Sequence, residues 1–336
     1  MKIFVYEWVC GGGFLGRDES PPDSLLAEGA AMLAGVVADF AALEAEVDLI
    51  LGSDDKVALH DRAVVHRVAT GAERDETFDR LASTADYTVV IAPEFEGILL
   101  ALSHRVAGQG GTLLSPLPEF VAIASDKQST AERLHGAKIP VPKGTVLMPG
   151  ERCPSGFRYP AVVKPIDGCG SLGVQLVQEG DQLPRGDGAY RLEEFAAGQP
   201  ASVLCICGPE QVVPLEPCLQ RLAGGEDFSY QGGALPLDEP LRERAAKLAL
   251  AALEAMPPAR GLVGVDIVLG EAADGSADYV IEVNPRCTTS YVGLRAAYDE
   301  NLAQLALAVS NGEQVTPPEI SRRVEWDATG EVRILD

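Results

Sequence analysis

Two apolar segments near the carboxyl end of the chain each carry one carboxylate, and this combination constrains the fold more than any other feature of the sequence. Residues 262–269 and residues 279–283 are rich in β-branched side chains and flank a short loop of Gly, Asp and Ala. This pattern predicts an antiparallel β-hairpin. The first strand contains Asp266 and the second contains Glu282, so each predicted strand carries a charged group among apolar neighbours.

The register of the hairpin decides whether the two carboxylates meet. A register that pairs Leu269 with Tyr279 brings the two carboxylates opposite each other, and any even shift keeps both on one face of the sheet. Asn284 follows Glu282 at the spacing of two that places strand side chains on the same face. Two carboxylates about 5 Å apart on a buried face repel each other, whereas a divalent cation reverses the sign of the interaction.

The same three side chains are therefore a candidate metal site. Asp266, Glu282 and Asn284 offer only oxygen ligands, which is the set that Mg²⁺ prefers, and Mg²⁺ usually completes its coordination with water and substrate phosphates. We expect a magnesium platform for a nucleotide. The alternative is a solvated sheet face, or an ion pair between the acids and Arg286.

A second stretch, residues 159–177, combines an apolar strand with a glycine-rich loop. Lys164 ends the strand, and Gly168, Gly170 and Gly173 allow the backbone N–H groups of the loop to approach an anion closely. A lysine at this position can hold a phosphate as a point charge. The alternatives are a lysine that snorkels to solvent and an ordinary glycine-rich hairpin turn. The chain has no G-x-x-x-x-G-K-[ST] loop.

Lys127 is a second candidate for binding phosphate. Ser125 is predicted to cap a helix that runs from Asp126 to about His135, and a lysine in the first turn opposes the helix dipole. That position is favourable if a phosphate lies between the lysine and the helix end. The alternative is a solvated lysine that is offset by Asp126.

Residues 191–198 are predicted to form a strand end that faces the base of a nucleotide. Glu193, Glu194 and Phe195 would present a carboxylate, backbone groups and an apolar ring to adenine. The alternative is an ordinary exposed strand end.

Composition narrows the class of partner. The formal net charge of −23 argues against DNA or RNA. The seven cysteines are scattered without a C-x-x-C pair, so neither a disulfide framework nor a zinc cluster is expected. Because the sequence shows no cleavable leader and no run of about 18 apolar residues, we expect a cytoplasmic protein with no membrane partner. The oligomeric state stays open, with a homodimer as one option.

The first third of the chain predicts a parallel α/β domain. Strand patterns at residues 3–9, 47–51 and 87–92 are separated by a helical stretch at residues 24–43 and a mixed segment. Residues 11–16 match G-x-G-x-x-G after a strand, which raises the alternative of an NAD-dependent oxidoreductase. That alternative is disfavoured because the loop runs into two prolines rather than a helix, and no strand-end acid follows about 20 residues later.

Taken in chain order, these motifs resemble the ATP-grasp superfamily of carboxylate-amine ligases. The likeness covers roughly residues 115–310 and rests on Asp126-Lys127, Lys164 with residues 167–173, Glu193-Glu194-Phe195, Asp266, and residues 282–286. The resemblance implies an α/β (α+β) ATP-grasp fold, in which a parallel α/β domain precedes two subdomains that hold the nucleotide between them. The implied divisions are an N-terminal domain at 1–120, a central subdomain with the Gly-rich loop at 121–195, a C-terminal subdomain with the metal site at 196–315, and a peripheral tail at 316–336.

The resemblance also implies a role for each motif. The two lysines would hold the phosphates of ATP, the Gly-rich loop would close over them, and adenine would bind at the strand end. The oxygen ligands would bind one or two Mg²⁺ ions, with Mn²⁺ as a substitute. The residues so implied are Lys127, Lys164, Gly168, Gly170, Ser171, Gly173, Glu193, Glu194 and Phe195 for ATP, and Asp266, Glu282 and Asn284 for the metal.

The chain departs from the superfamily in two places. Many members have a ribose-binding glutamate shortly after the adenine strand, where this chain reads AAGQPASV, so the ribose contact is unassigned. Some amino-acid ligases carry an arginine where this chain has Gly264. Arg286 and Arg221 are therefore expected, with Lys164, to neutralise the charge of an acyl phosphate during catalysis.

Residues 1–14 and 282–291 resemble a narrower group, the tyramine-glutamate ligases of methanofuran biosynthesis. This resemblance implies that ATP phosphorylates the side-chain carboxylate of glutamate and that the amine of tyramine attacks, giving a γ-glutamyl amide, ADP and phosphate. The expected substrate contacts are Glu7, Thr288, Thr289, Ser290 and Tyr291. Glu7 ends a strand, where ligands of open α/β sheets bind, but it could equally be a loop carboxylate without a ligand, and Tyr291 could equally be a packing residue. The alternatives in function are another ATP-grasp amino-acid or peptide ligase and a regulatory nucleotide-binding module.

Overall fold

The chain folds around three β-sheets, one parallel and two antiparallel. The computed structural model describes residues 1–53, 55–183, 188–224 and 227–335. Helices pack on the faces of the sheets, and this mixed architecture confirms the predicted α/β class.

The first sheet is parallel and belongs to the N-terminal part of the chain. Its strands are β1 (Lys2–Glu7), β2 (Glu46–Gly52), β3 (Ala63–Val68) and β4 (Tyr87–Ile91), in the order β3-β2-β1-β4. The accompanying helices are α1 (Asp23–Ala42), α2 (Gly71–Thr84) and α3 (Ile98–Gly108), and a 3₁₀ turn spans Phe95–Gly97. The three predicted strands and the helical stretch are confirmed. The edge strand β3, whose side chains are mostly exposed, lies outside the predicted elements.

Helix α1 is long and apolar enough to cross a membrane by length and composition alone. Half of its apolar window is buried inside the structure. Leu33, Val37 and Phe40 pack there in one core with Ile3 and Leu49 of the parallel sheet. The packing of a folded domain therefore accounts for the apolar character of α1.

Two short helices, α4 (Pro118–Ala124) and α5 (Lys127–Gly136), follow the parallel sheet. The structure corrects the predicted cap of α5: Asp126, not Ser125, is the N-cap residue, and its Oδ1 accepts the Ser129 N–H at 2.6 Å. Aspartate suits this position because its charge interacts favourably with the positive end of the helix dipole. Lys127 keeps its predicted place in the first turn.

The second sheet is small and antiparallel. Its strands are β5 (Gly144–Leu147), β6 (Ala161–Pro165), β7 (Gln175–Val177) and β8 (Tyr190–Glu194), in the order β5-β8-β6-β7. The Gly-rich loop joins β6 to β7, and Lys164 and Glu193 lie on the neighbouring strands β6 and β8. Leu147, Val163 and Leu192 contribute to a separate small core beneath this sheet.

The third sheet is the largest and is antiparallel throughout. Its strands are β9 (Gln199–Cys207), β10 (Val212–Pro214), β11 (Cys218–Gly224), β12 (Asp227–Leu235), β13 (Gly261–Leu269), β14 (Tyr279–Asn284), β15 (Arg323–Asp327) and β16 (Val332–Leu335), with the order β14-β13-β9-β11-β12-β15-β16 and β10 paired to β9. Helix α6 (Glu239–Ala255) covers one face, and α7 (Ser290–Ala297) and α8 (Leu302–Ser310) lie on the other, where they share a core with α1. The large sheet and the parallel sheet are thus joined by one continuous core.

The hairpin of β13 and β14 brings Asp266 opposite Glu282, as predicted, but through a different register. Tyr279 pairs with Val268, one position short of its predicted partner. A β-bulge then adds one residue, Ile281, to β14 and restores the pairing of the two carboxylates. The bulge is a local feature that strand periodicity does not reveal.

The C-terminal segment is part of the fold rather than a peripheral tail, which corrects the expectation for residues 316–336. Strand β15 pairs with β12, and β16 pairs with β15. Trp326 of β15 is 2% exposed and belongs to the core shared with α1 and α7.

Candidate active site

A cleft of about 1030 Å³ lies between the small sheet and the large sheet. Strands β6 and β8 and the Gly-rich loop form one wall, and strands β11 to β14 form the other, with α1 contributing Glu28. The cleft is lined by the predicted phosphate, adenine and metal residues except Gly173, and also by Arg221, Arg286, Thr288, Thr289 and Ser290. Tertiary folding therefore gathers motifs that are far apart along the chain.

Lys164 is buried in the cleft wall at the end of β6. Its Nζ lies 2.6 Å from Glu193 Oε1 and donates to the Ile281 carbonyl at 3.2 Å. Glu193 also binds Arg191, with Nε and Oε2 3.1 Å apart. One carboxylate thus pairs with two cations. The buried cluster of Lys164, Arg191 and Glu193 therefore carries a net positive charge, which favours binding of an anion. The carboxylate of Glu193 is directed at these cations, which leaves the backbone of Glu194 and Phe195 as the stronger candidates for an adenine contact.

Lys127 lies on the other side of the Gly-rich loop. Its Nζ is 2.7 Å from Glu282 Oε1 and also donates to the carbonyl of Gly168. Burial opposes the charged form of Lys127, but the charge and hydrogen bond of Glu282 outweigh it and raise the lysine pKa. Lys127 therefore stays charged and ties helix α5 to both the loop and β14.

The two hairpin acids differ in their electrostatic surroundings. Burial acts to raise the pKa of Glu282, but Lys127 and Lys164 lower it below its usual value. Asp266 instead accepts from the amides of Gln220 and Asn284, each at 2.9 Å. Burial and then the charge of Glu282 raise the pKa of Asp266 to about 6. Its negative charge is poorly compensated by the described side chains.

The donor set fits a hard divalent cation. Asp266, Glu282 and Asn284 project from the paired strands β13 and β14, and each offers a side-chain oxygen. Burial and the charge of Glu282 disfavour the ionised form of Asp266, and a dication bound here would oppose both effects. Among the described residues no group of three or more His, Cys, Asp or Glu side chains is placed to hold a metal, so a cation here would complete its coordination with substrate oxygens and water.

Arg286 pairs with a carboxylate that the sequence does not single out. Its Nε lies 2.9 Å from Glu94 Oε1 and its Nη2 3.3 Å from Oε2. Glu94 follows β4 in the N-terminal part of the chain and is 3% exposed. Burial opposes the charge of Arg286, but Glu94 more than offsets it and the arginine pKa is raised. Arg286 thus forms its ion pair with Glu94 rather than with the hairpin acids, on which it acts only as a more distant charge.

The remaining predicted contacts divide into those that reach the cleft and those that do not. Arg221 lines the cleft while its Nη2 binds Glu325 at 2.6 Å. The hydroxyl groups of Thr288 and Ser290 lie 2.8 Å apart, and Thr289 Oγ1 donates to Glu28 at 2.9 Å. These hydroxyl groups follow the metal candidates directly, at the start of α7.

Glu7 and Tyr291 lie outside the cleft, which corrects their predicted role as substrate contacts. Glu7 is 2% exposed, and its carboxylate accepts the backbone N–H groups of Val9 and Cys10 at 3.1 and 2.7 Å. Burial raises the pKa of Glu7 to about 7 despite these bonds. Tyr291 is 1% exposed and donates to Asp39 at 2.6 Å. Both side chains therefore have a structural role: each is buried and forms hydrogen bonds within the protein.

Neither the glycine-rich segment at residues 11–16 nor the loop after β6 has the structure of a dinucleotide-binding turn. Residues 11–16 form turns that pack on Trp8, where a Cβ at Gly13 would lie 2.2 Å from the indole, and no helix begins before Asp23. In the loop after β6, Gly173 has φ +74°, and a Cβ there would lie 3.0 Å from Pro165 Cγ. Gly173 therefore allows the tight turn of the Gly-rich loop against Pro165 without lining the cleft itself.

Residues 124–290 match the family described as the ATP-grasp domain, and residues 46–121 match the pre ATP-grasp 3 domain. The two matches cover the cleft and most of the parallel sheet that precedes it. The chain belongs to the ATP-grasp superfamily.

Named relatives of this ATP-grasp protein agree with the family. It is 25% identical over 317 residues to the tyramine–L-glutamate ligase of Methanocaldococcus jannaschii, which covers 93% of this chain and 90% of the relative. It is 28% identical over 231 residues to the tyramine–L-glutamate ligase of Methanocaldococcus fervens, covering 69% and 68%. The resemblance to this group is thereby confirmed.

Solved structures agree with the fold. A crystal structure described as an ATP-grasp superfamily protein of Archaeoglobus fulgidus aligns with a TM-score of 0.73 at 24% identity, over 97% of this chain and 91% of that one. A carboxyaminoimidazole ribonucleotide synthase of Aspergillus clavatus complexed with ATP aligns with a TM-score of 0.68 at 18% identity, over 96% and 81%. This ATP-grasp protein is an ATP-dependent ligase that acts on small molecules.

Proposed function

We propose that this ligase joins the side-chain carboxylate of L-glutamate to the amine of tyramine, with release of ADP and phosphate. The observation that carries the proposal is the alignment with a tyramine–L-glutamate ligase over 93% of this chain and 90% of the relative. The product is a γ-glutamyl amide, as expected for a step in methanofuran biosynthesis.

The reaction has two steps that the cleft suits. A glutamate carboxylate oxygen attacks the terminal phosphorus of ATP, and ADP leaves. The amine loses the proton of its ammonium form to solvent, its nitrogen attacks the acyl carbon, and the C–O bond breaks as phosphate leaves with the second proton from nitrogen. A carboxylate accepts a nucleophile only when it carries a good leaving group, so the phosphoryl transfer must come first, and charge stabilisation is the main catalytic demand.

The cations of the cleft supply this stabilisation. Lys127 and Lys164 bind the phosphates of ATP from the two sides of the Gly-rich loop, and the loop excludes water from the acyl phosphate. Arg286, held by Glu94, and Arg221 face the same cleft and offset charge on the transferred group. Adenine binds at the end of β8, beside Glu194 and Phe195.

The hairpin acids supply the metal site. Asp266, Glu282 and Asn284 would hold Mg²⁺, or Mn²⁺ in its place. When bound, the cation neutralises negative charge on the phosphate oxygens. Lys127 then exchanges part of its contact with Glu282 for a contact with phosphate, because both groups compete for the same ammonium.

The proposal is tested by incubating the purified chain with ATP, Mg²⁺, L-glutamate and tyramine, measuring ADP release and identifying the amide by mass spectrometry. We expect ADP release only when both substrates are present. Lys164→Ala should lower turnover by about 10²–10³-fold, since it removes a preorganised charge, yet keep the fold because Arg191 remains bound to Glu193. Lys247→Ala, at an exposed site on α6 away from the cleft, is the control.

Two results would contradict the proposal. ADP release with other carboxylate and amine pairs, but not with glutamate and tyramine, would assign another ATP-grasp ligase activity. Normal turnover in Lys164→Ala would remove the proposed phosphate site.

A further inference from the structure

Helix α1 places a carboxylate in the cleft that the proposed ATP and metal sites do not use. Glu28 lines the cleft, and its Oε2 accepts a hydrogen bond from Thr289 Oγ1 at 2.9 Å. Within the described part of the chain Glu28 forms no ion pair with a Lys, Arg or His, and Arg286 acts on it only as a more distant charge. Burial raises the pKa of Glu28 above its usual value. A partly buried acid without a cationic partner is costly to keep ionised unless a ligand brings the cation.

An aromatic pair shares this part of the cleft. Trp326 Nε1 donates to the Tyr230 hydroxyl at 2.8 Å, and both side chains line the cleft. Burial raises the pKa of the Tyr230 phenol, and the nearby charges of Glu28 and Asp266 add to the increase. Tyr230 therefore lies within electrostatic range of both the unpaired acid and the metal candidates.

The position of the indole is fixed by glycines on both sides. A Cβ at Gly293 would lie 2.0 Å from Trp326 Cε3, and a Cβ at Gly233 would lie 2.4 Å from Cζ2. Only glycine leaves room for the ring at these two positions. The hydrogen bond to Tyr230 then satisfies the polar atom of the indole, so the ring pair is a preorganised apolar wall.

We propose that Glu28 and Tyr230 form the subsite for the amine substrate, in which the carboxylate holds the ammonium group and the phenol ring, positioned by the buried Trp326, contacts the aryl group. This inference rests on the proposed function and names the chemical class of its acceptor, an arylalkylamine. Glutamate is a poorer occupant because its α-carboxylate lies next to its ammonium group and would be repelled by Glu28. An arylalkylamine carries no such anion.

Steady-state kinetics test the charge of the subsite. Glu28→Gln should raise the KM for tyramine at least tenfold and leave the KM values for ATP and glutamate within twofold. Glu28→Asp, which keeps the charge, should recover part of the affinity. Asp23→Asn removes an exposed carboxylate from the same helix and is the matched control. Trp326→Phe should raise the KM for tyramine more than the KM for ethylamine, which has no aryl group.

A second assay separates this inference from the proposed function. Hydroxylamine, which is mostly uncharged at neutral pH, traps an acyl phosphate as a hydroxamate without needing an ammonium site. Glu28→Gln should form glutamyl hydroxamate at the wild-type rate while it loses tyramine transfer. If wild-type enzyme forms the tyramide and Glu28→Gln keeps the wild-type KM for tyramine, the subsite is wrong and the function stands.

Two other outcomes are equally decisive. If Glu28→Gln loses hydroxamate formation and tyramine transfer to the same extent, Glu28 serves the glutamate step and the amine assignment fails. If wild-type enzyme gives neither hydroxamate nor tyramide from glutamate, the proposed function fails before the subsite is reached.

Discussion

At the residue scale, carboxylates keep the two buried lysines of the cleft charged inside the protein. Glu193 binds Lys164 and Glu282 binds Lys127, so each lysine is buried as half of an ion pair. An isolated buried charge would cost several kcal/mol. Because Glu282 is also a metal candidate, binding of phosphate to Lys127 and binding of a cation to Glu282 favour each other. The resting ion pairs are therefore consistent with a site that exchanges partners when nucleotide and metal enter together.

Glu7 gives a residue-scale prediction about pH and stability. Its pKa rises from 4.5 unfolded to about 7 folded, so between these values the folded state binds more protons and stability falls as pH rises. At about 1.4 kcal/mol per pKa unit, we expect the free energy of unfolding of the wild type to lose about 2 kcal/mol between pH 5 and pH 8 through this group. Glu7→Gln should remove that loss, measured by urea unfolding at the two pH values.

The control for Glu7 is Glu76→Gln, an exposed carboxylate on α2 whose removal should leave the pH dependence of stability unchanged. KM values of Glu7→Gln for glutamate and tyramine should stay within twofold of the wild type, because Glu7 lies outside the cleft. A large rise in either KM would restore Glu7 as a substrate contact.

At the element scale, two local irregularities shape the site. The bulge in β14 aligns Glu282 with Asp266, and without the extra residue the side chains of β14 beyond it would change faces. In the loop between β6 and β7, Gly170 and Gly173 have φ of +59° and +74°. The loop can therefore turn tightly enough to hold its backbone near both lysines.

Gly173→Ala tests the role of the loop. Residue 173 has a left-handed backbone conformation, which costs about 1–2 kcal/mol for a non-glycine residue. The new Cβ would also lie only 3.0 Å from Pro165 Cγ. We expect the KM for ATP to rise about tenfold or more as the loop shifts. Gly156→Ala imposes the same backbone strain at φ +82° but meets no atom within 4 Å. This control should lose a similar amount of stability with the KM for ATP unchanged; an equal rise in both variants would show that strain, not loop shape, is responsible.

At the scale of the whole molecule, the N-terminal part of the chain completes the site. Glu94, after β4, holds Arg286, and Glu28, on α1, is bound by Thr289. The backbone N–H of Glu96 also donates to Asp167 of the Gly-rich loop at 3.0 Å. The N-terminal part of the chain therefore belongs to the structure of the cleft, since it positions Arg286, contributes Glu28 and contacts the Gly-rich loop.

A double-mutant cycle on Glu94 and Arg286 measures this connection. Removing one partner of a buried ion pair leaves an uncompensated charge and typically costs about 3–5 kcal/mol. We expect Glu94→Ala to lower the free energy of unfolding by that order, and Glu94→Ala with Arg286→Met to cost less than the sum of the single changes. The exposed pair Arg17–Glu96 is the control, where each change should cost no more than about 1 kcal/mol. Additive losses at Glu94 and Arg286 would contradict the coupling.

Features that depend on residues close together in the chain were predicted more accurately than features that depend on distant residues. The pairing of Asp266 with Glu282 followed from strand periodicity, and the start of α5 was wrong by one residue because Ser125 and Asp126 are both good capping residues. Strand β15 was not predicted because residues 317–322, directly before it, begin with two prolines and show no strand pattern. Glu28 was not predicted, because a single acid in an amphipathic helix does not show by itself which surface it will face.

The sequence by itself determined the family of motifs, the α/β class and the position of Asp266 opposite Glu282, because spacing along a strand or helix is local and fixes which side chains share a face. Tertiary structure alone decided that Glu94 holds Arg286, that Glu7 and Tyr291 are buried away from the cleft, and that Glu28, Tyr230 and Trp326, which are remote in the chain, line one cleft. Partners that meet only when separate sheets pack together leave no periodic trace, since their proximity depends on the burial of the whole core rather than on the geometry of any one element.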